Sequence, residues 1–274
     1  MTRIITFANF KGGTGKTTNA VLFAYTLAKQ GYKVLVVDKD PQANATTFLL
    51  KTYMAERDET PVVSNYMLDG VKAGDLASTI FTIHNNLDLI PNTPTFHLYP
   101  KFLQKKFTGM TDQAERERIF YFRELLKPIQ HNYDFILIDV PPTISDITDA
   151  ALAATDYVVL VLQTQEASLD GAEVFINYLQ DLLDEDKAQL EIVGILPVIL
   201  KADSRVEQAT MQNAIAIFGE ENLFEHHVKT MERIKRFNSV GITNDDMHDR
   251  RVHNLYDEII DEFINRIVEI EEDE

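Results

Sequence analysis

The 274-residue sequence contains no cysteine. Disulfides, thiolate nucleophiles, zinc–thiolate centres and cysteine-ligated iron–sulfur clusters are therefore excluded. It also lacks a positive excess: 26 Lys and Arg stand against 43 Asp and Glu, a formal charge of −17. That excludes a generally basic, histone-like nucleic-acid binder and leaves room only for local basic patches. The longest apolar run, 192–200, is far short of the roughly 20 residues that a membrane-spanning helix needs. Residues 1–7 lack the charged-then-apolar layout of a secretory signal. A soluble cytoplasmic protein is expected. What is present, 45% hydrophobic and 25% charged residues, is the usual globular balance, and the length suits one domain spanning 1–274.

Near-continuous apolar runs at 4–8, 34–37, 135–138, 157–162 and 192–200 read as strands buried on both faces. Residues 87–90 form a weaker sixth candidate and 223–228 a seventh. Helical patterns fall at 16–30, 112–127, 169–183 and 205–218, with Gly31 where a C-terminal cap belongs. Strands alternating with helices imply an α/β fold, a mostly parallel twisted sheet with helices on both faces. Segment 51–112, with Pro61, Pro91, Pro94 and Pro100, reads as a variable elaboration of that domain. A last helix at 253–268 puts Leu255, Ile259, Phe263 and Ile267 on one stripe, followed by an acidic tail ending at Glu274.

Between the first strand and the first helix stands Phe10-Lys11-Gly12-Gly13-Thr14-Gly15-Lys16-Thr17-Thr18. Glycines let the backbone turn tightly around an anion and aim amide N–H groups at phosphate oxygens. The helix that starts near Lys16 adds its positive dipole end. Lys16 would bridge the β- and γ-phosphates of ATP, and Thr17 would offer its hydroxyl to Mg²⁺. The stretch departs from the standard phosphate loop, because Phe10 stands where that pattern has glycine and Lys11 is an additional lysine. Two later strands run into acids: Asp38-Lys39-Asp40-Pro41-Gln42 and Asp139-Val140-Pro141-Pro142. Ligands of open parallel sheets bind at the carboxyl ends of the strands, so all three aspartates converge on the loop. Asp139 has the position of the acid that holds Mg²⁺ directly or through water.

The K-G-G-x-G-K-[ST] stretch, D-x-D-P-Q at 38–42 and I-D-x-P-P at 138–142 resemble the ParA/MinD group of P-loop ATPases, and the resemblance runs from residue 3 to about 245. It extends through Leu87-Asp88-Leu89-Ile90-Pro91 and the stretch from Gln163 to Gly171. What it implies is a P-loop NTPase fold and an ATP-sandwich homodimer in which Lys11 reaches the partner's phosphates. It also implies that residues 11–18 hold the nucleotide, that Asp40 positions the attacking water, and that Asp38 lies near the metal and its waters. The plain alternative is that Asp38 or Asp40 caps the next segment.

Within the group, the absence of cysteine separates the sequence from nitrogenase iron protein and from the arsenite pump ATPase. The C-terminal stretch 257–274 holds nine acids and one base, Arg266, and anionic lipid would repel it. That disfavours membrane association and leaves the short ParA class of DNA-segregation ATPases. The resemblance then implies nonspecific DNA binding at the nucleoid. It also implies a small centromere-binding partner, ParB-like or of the ribbon-helix-helix type, whose basic tail would suit an acidic surface. Two basic patches are candidates for DNA: Lys229, Arg233, Lys235 and Arg236, and the group Lys101, Lys105 and Lys106 interleaved with Phe102 and Phe107. The rival readings are a MinD-like positioning ATPase and a metabolic P-loop ATP-dependent synthetase. Residues 197–201 are a candidate adenine pocket. Asp245, Asp246, His248 and His253 read as a capping loop rather than a metal site, and His226-His227 as structural.

Overall fold

The computed structural model describes residues 1–185, 187–199, 205–229 and 231–273; Leu200, Lys201 and Glu274, named above, lie outside them. Along the chain, β1 (Arg3–Ala8) leads into α1 (Lys16–Lys29) and β2 (Val34–Asp38). Then α2 (Asn44–Arg57) and α3 (Met67–Ala73) precede a hairpin of β3 (Phe81–His84) and β4 (Leu87–Ile90). Next, α4 (Tyr99–Lys106) and α5 (Asp112–Gln130) feed β5 (Phe135–Asp139), α6 (Asp146–Leu152) feeds β6 (Tyr157–Gln163), and α7 (Glu166–Asp184) feeds β7 (Glu191–Ile199). The described chain closes with α8 (Arg205–Phe218), β8 (Val228–Lys229), α9 (Glu232–Val240) and α10 (Met247–Asp273).

The strands form one eight-stranded sheet in the order β3-β4-β2-β5-β1-β6-β7-β8. Every neighbouring pair is parallel except β3 with β4. The five strong apolar runs, the last as far as Ile199, and 87–90 are strands, for the reason that made them legible: helices cover both faces, so neither face can be polar. On one face α1, α2, α9 and α10 bury Phe23, Phe48, Phe237, Tyr256 and Phe263 against β1, β2 and β5. The other face carries Phe96, Tyr99 and Phe122 under α4 and α5, with Phe175 and Leu179 of α7 beside β6.

Segment 51–112 is more regular than its prolines suggest. It contains the second half of α2, then α3, the β3–β4 hairpin and α4. The sequence hides α2 because Asn44, Thr46, Thr47 and Thr52 are weak helix formers, and the helix opens after Ala43 in the left-handed region, φ 54°. The edge strand β3 is only four residues long and turns back through Asn86 at φ 66°. The expected strand at 223–228 is reduced to a bridge from Leu223 to Ile195 and the two residues of β8. At the other extreme α10 outruns the expected 253–268 at both ends. Its stripe of Val252, Tyr256, Ile259, Phe263 and Ile267 is buried against α1 and the sheet.

The chain leaves β1 for β2, on the far side of β5, while β6 flanks β1 on its other edge. Strand order therefore reverses at β1, the switch point at which open α/β sheets form their ligand crevice. In register, Phe7 pairs with Asp139 and Asp139 with Asp38, so the loop after β1 and both strand-end acids share one edge.

Candidate active site

The loop after β1 is held at both ends. Asn9 donates from Nδ2 to the carbonyls of Val161 (3.0 Å) and Ser168 (3.3 Å) and accepts from the Lys11 amide (2.8 Å). The Phe10 ring, in the place of the usual glycine, docks on α7 with centroids 4.8 Å from Phe175 and 5.3 Å from Tyr178. Here α7 comes so close that a Cβ on Gly171 would stand 2.8 Å from Asn9 Oδ1 and 3.3 Å from the Lys11 nitrogen. Only glycine fits there. The loop then passes through Gly13 and Gly15, at φ 78° and 95°, and enters α1.

The two lysines part company. Lys16 is buried, and its ammonium donates to the Lys11 carbonyl at 3.1 Å. Burial pulls its pKa below the ordinary lysine value, against the opposing pull of Asp139 and Asp40. The Lys11 ammonium points instead to the rim and donates to Gln165 Oε1 at 2.5 Å. A cavity of about 520 Å³ opens over the loop, lined by residues 12–18 together with Asp40, Gln42, Asn44, Thr47, Lys51 and Asn238.

The three aspartates do converge, in different roles. Asp38 Oδ2 accepts from the Thr46 amide (2.8 Å) and hydroxyl (2.7 Å), and its Oδ1 from the Asp40 amide (3.2 Å). Asp38 thus ties the first turn of α2 to the end of β2. Asp40 lines the cavity, with Oδ1 accepting from the Gln42 amide at 2.9 Å. Asp139 is wholly buried, and neither of its carboxylate oxygens has a hydrogen-bond partner among the described residues. Burial first, then Asp38, drives its pKa well above the carboxylate range, with the Thr17 hydroxyl and Lys16 pulling the other way. An orphaned carboxylate beside a threonine hydroxyl suits a hard divalent cation such as Mg²⁺.

Asp38 gives a pH prediction. Burial pushes its carboxyl up to about 7, from an unfolded value near 4. An acid raised on folding stabilises the fold while protonated; its contribution is full below about pH 4 and is lost as pH rises through about 7. The Tm of nucleotide-free protein should therefore fall between pH 5.5 and 8, and fall less steeply in Asp38→Asn. Parallel slopes for the two proteins would refute the assignment.

Lys39, between the two acids, points through the sheet to the other face. It is fully buried, its Nζ has no hydrogen-bond partner among the described residues, and it lies 3.5 Å from the Phe122 centroid and 4.7 Å from that of Tyr99. Burial lowers its pKa well below the ordinary lysine value. The rings return part of the lost hydration as cation–π attraction, but a buried cation without a counter-charge is costly. Lys39→Met, which keeps the stem, should stabilise the protein by about 1–4 kcal/mol in denaturant titration. Lower stability would mean that the aromatic box outweighs desolvation.

The basic residues of 229–236 are not equivalent. Arg233 is clamped by Asp246 (2.6 Å) and the buried Asp249 (3.1 Å), with 14% of its side chain exposed. Lys235 pairs with Glu232 at 2.8 Å, while Lys229 and Arg236 are exposed. Arg236 joins His248 and Arg251 of α10 along a groove of about 430 Å³. Sequence reasoning passed over Arg250 and Arg251, although the adjacent pair is a visible signal. As expected, Asp246 is a cap: its Oδ1 accepts from the amides of His248 (2.8 Å) and Asp249 (3.1 Å). No group of three or more potential metal ligands occurs among the described residues. In the second patch, Lys106 lies over the Tyr121 ring, 5.0 Å from its centroid. Sequence reasoning also missed Asn9, Thr46, Lys51 and Asn238, whose roles arise from contacts between distant segments.

An AAA-domain family profile matches residues 2–192. Sporulation initiation inhibitor protein Soj of Bacillus subtilis (strain 168) is 32% identical over 202 residues, covering 74% of each chain. Among solved structures, apo McdA of Cyanothece superposes with a TM-score of 0.79 at 21% identity, over 96% of this chain and 100% of that one. Cobyrinic acid a,c-diamide synthase of Mycobacterium smegmatis, with ADP and magnesium, gives 0.69 at 22% identity, over 87% and 92%. The two structural likenesses show a shared fold.

Proposed function

This chain belongs to the ParA family of P-loop ATPases, and we propose that it is the ATP-driven switch of a DNA-partition system. In this reading an ATP-bound homodimer sits on nonspecific DNA at the nucleoid and is dismantled when a small partner protein, ParB-like or of the ribbon-helix-helix type, stimulates slow hydrolysis. The observation that carries it is the double-lysine phosphate loop facing Asp40 across a single cavity. Lys16 exchanges the Lys11 carbonyl for the β- and γ-phosphates, and the loop amides of 12–18 take the remaining phosphate oxygens. Thr17 and Asp139 would hold Mg²⁺, and Asp38, which accepts from the Asp40 and Thr46 amides, keeps the intervening turn in place. Magnesium, when bound, neutralises phosphate charge. Asp40 orients the attacking water: the Gln42 amide fixes one of its oxygens, and the other has no protein donor among the described residues. Lys11, parked on Gln165 at the rim, supplies the cation for the partner's nucleotide and makes turnover depend on dimerisation.

The DNA face on this reading is the groove lined by Arg233, Arg236 and Arg251, with the exposed Lys229 and Lys235 of the same basic run. The test is a gel shift with random duplex DNA. Binding should require ATP, and its logarithm should fall linearly with that of salt concentration. Absence of ATP-dependent binding would refute the partition reading. Sedimentation with anionic liposomes would instead indicate a MinD-like role. Turnover that needs a small-molecule acceptor, not DNA and a partner, would indicate a synthetase.

A further inference from the structure

Asn238 joins two places that would otherwise be separate. It stands on the last turn of α9 and lines the cavity above the phosphate loop. Its Nδ2 lies 3.2 Å and its Oδ1 3.4 Å from the Thr18 hydroxyl, and its carbonyl accepts from Lys51 Nζ at 3.1 Å. Thr18 and Lys51 also line that cavity. Both are groups that an anionic ligand would recruit, the hydroxyl by hydrogen bonding and the ammonium by charge. Two of the ties that hold this end of α9 are thus polar contacts to ligand-facing groups, open to exchange when a nucleotide enters.

The rest of α9 is set up to carry such a change. At its C-terminus Gly241, φ 95°, is pressed so closely on α2 that a Cβ would clash with the Lys51 carbonyl and stand 2.6 Å from the Thr52 nitrogen. The next amide, Ile242, donates to the Thr52 hydroxyl at 3.0 Å. At the other end Arg233 is clamped to Asp246 and Asp249 at the start of α10. Between these anchors Ile234 and Phe237 are buried while Lys235 and Arg236 are exposed. A nine-residue helix pinned at both ends moves as one piece, so a shift at Asn238 reaches Arg236 and the groove shared with Arg251.

We propose that Asn238 is a positioning residue through which nucleotide occupancy sets the placement of α9 and of the basic groove beside it. The inference rests on reading that groove as the DNA face, and its own link, from nucleotide to α9, can be read without DNA. The first measurement is amide hydrogen exchange over residues 232–240, with and without a nonhydrolysable ATP analogue and Mg²⁺. In wild type the analogue should slow exchange by at least about tenfold, and in Asn238→Ala by less than about threefold, each measured at an analogue concentration that saturates the protein. Equal protection in the two proteins would overturn the proposal. The second is the ratio of random-duplex affinities in ATP and in ADP. Asn238→Ala should collapse that ratio toward one. Arg236→Ala should weaken DNA binding in both nucleotides and leave the ratio unchanged. A wild-type ratio already at one would defeat the partition reading and leave the exchange result to decide the role of Asn238. Asn238 is exposed at a helix end, and alanine is a better helix former there, so the variant should fold.

Discussion

Lys11→Ala should bind ATP within about threefold of wild type and yet hydrolyse it at least roughly 10³-fold more slowly, the size of effect seen when a charge-stabilising cation is removed from phosphoryl transfer. The expectation follows from where the lysine points. Its ammonium donates to Gln165 at the rim, while Lys16 is the buried cation of the loop. Losing the rim cation leaves the cradle of one subunit complete. The measurement is a pair: equilibrium binding of a labelled nucleotide, and phosphate release with DNA and partner present. If both fell together, Lys11 would be another local phosphate contact, and the case for a shared active site would fail. Adding Lys16→Ala protein, inert on its own, extends the test. In mixed dimers its intact Lys11 should restore part of the turnover at the Lys11→Ala subunit's nucleotide.

Asp40→Ala should trap the ATP-bound dimer. Loss of a residue that positions or activates a nucleophile typically costs about 10²–10⁴-fold in rate, whereas on the proposed reading phosphate is held by the loop. The backbone carbonyl of Asp40, which accepts from Ala43 (2.8 Å) and Asn92 Nδ2 (3.1 Å), is untouched by the substitution. The turn should survive. Light scattering after gel filtration should find a long-lived dimer in ATP and a monomer in ADP, with wild type returning to monomer as ATP is consumed. A variant that is monomeric in ATP would argue that Asp40 serves assembly instead of water.

The phosphate loop was legible because its job leaves little freedom: tight turns, an ammonium and a hydroxyl at the mouth of a helix have few spellings. The strands were legible because burial on both faces forbids alternation. Harder to read were residues whose meaning depends on distant partners. Arg233 looks like one more cation in a basic run until α10 brings Asp246 and Asp249 against it. Asp38 and Asp40 look interchangeable until Thr46 folds back onto the first. The helix α2 is spelled with threonines that would equally suit a strand, and its packing against α1 and α9 outweighs their propensity. Lys39 did carry a readable sign, since two acids at alternate positions put the residue between them on the opposite face.

The ladder that pairs Asp38 with Asp139 also makes this edge of the sheet intolerant of slippage. Strand side chains alternate, so displacing β2 by a single residue against β5 would turn its sequence over. Lys39 would swing toward the phosphates, and an aspartate would be driven into the box of Phe96, Tyr99 and Phe122. An insertion or deletion within 34–38 should therefore be far more damaging than one in the exposed stretch 57–65, even though it alters no residue that would touch ATP. The spacing of these two acids is written in the hydrogen bonds of the backbone.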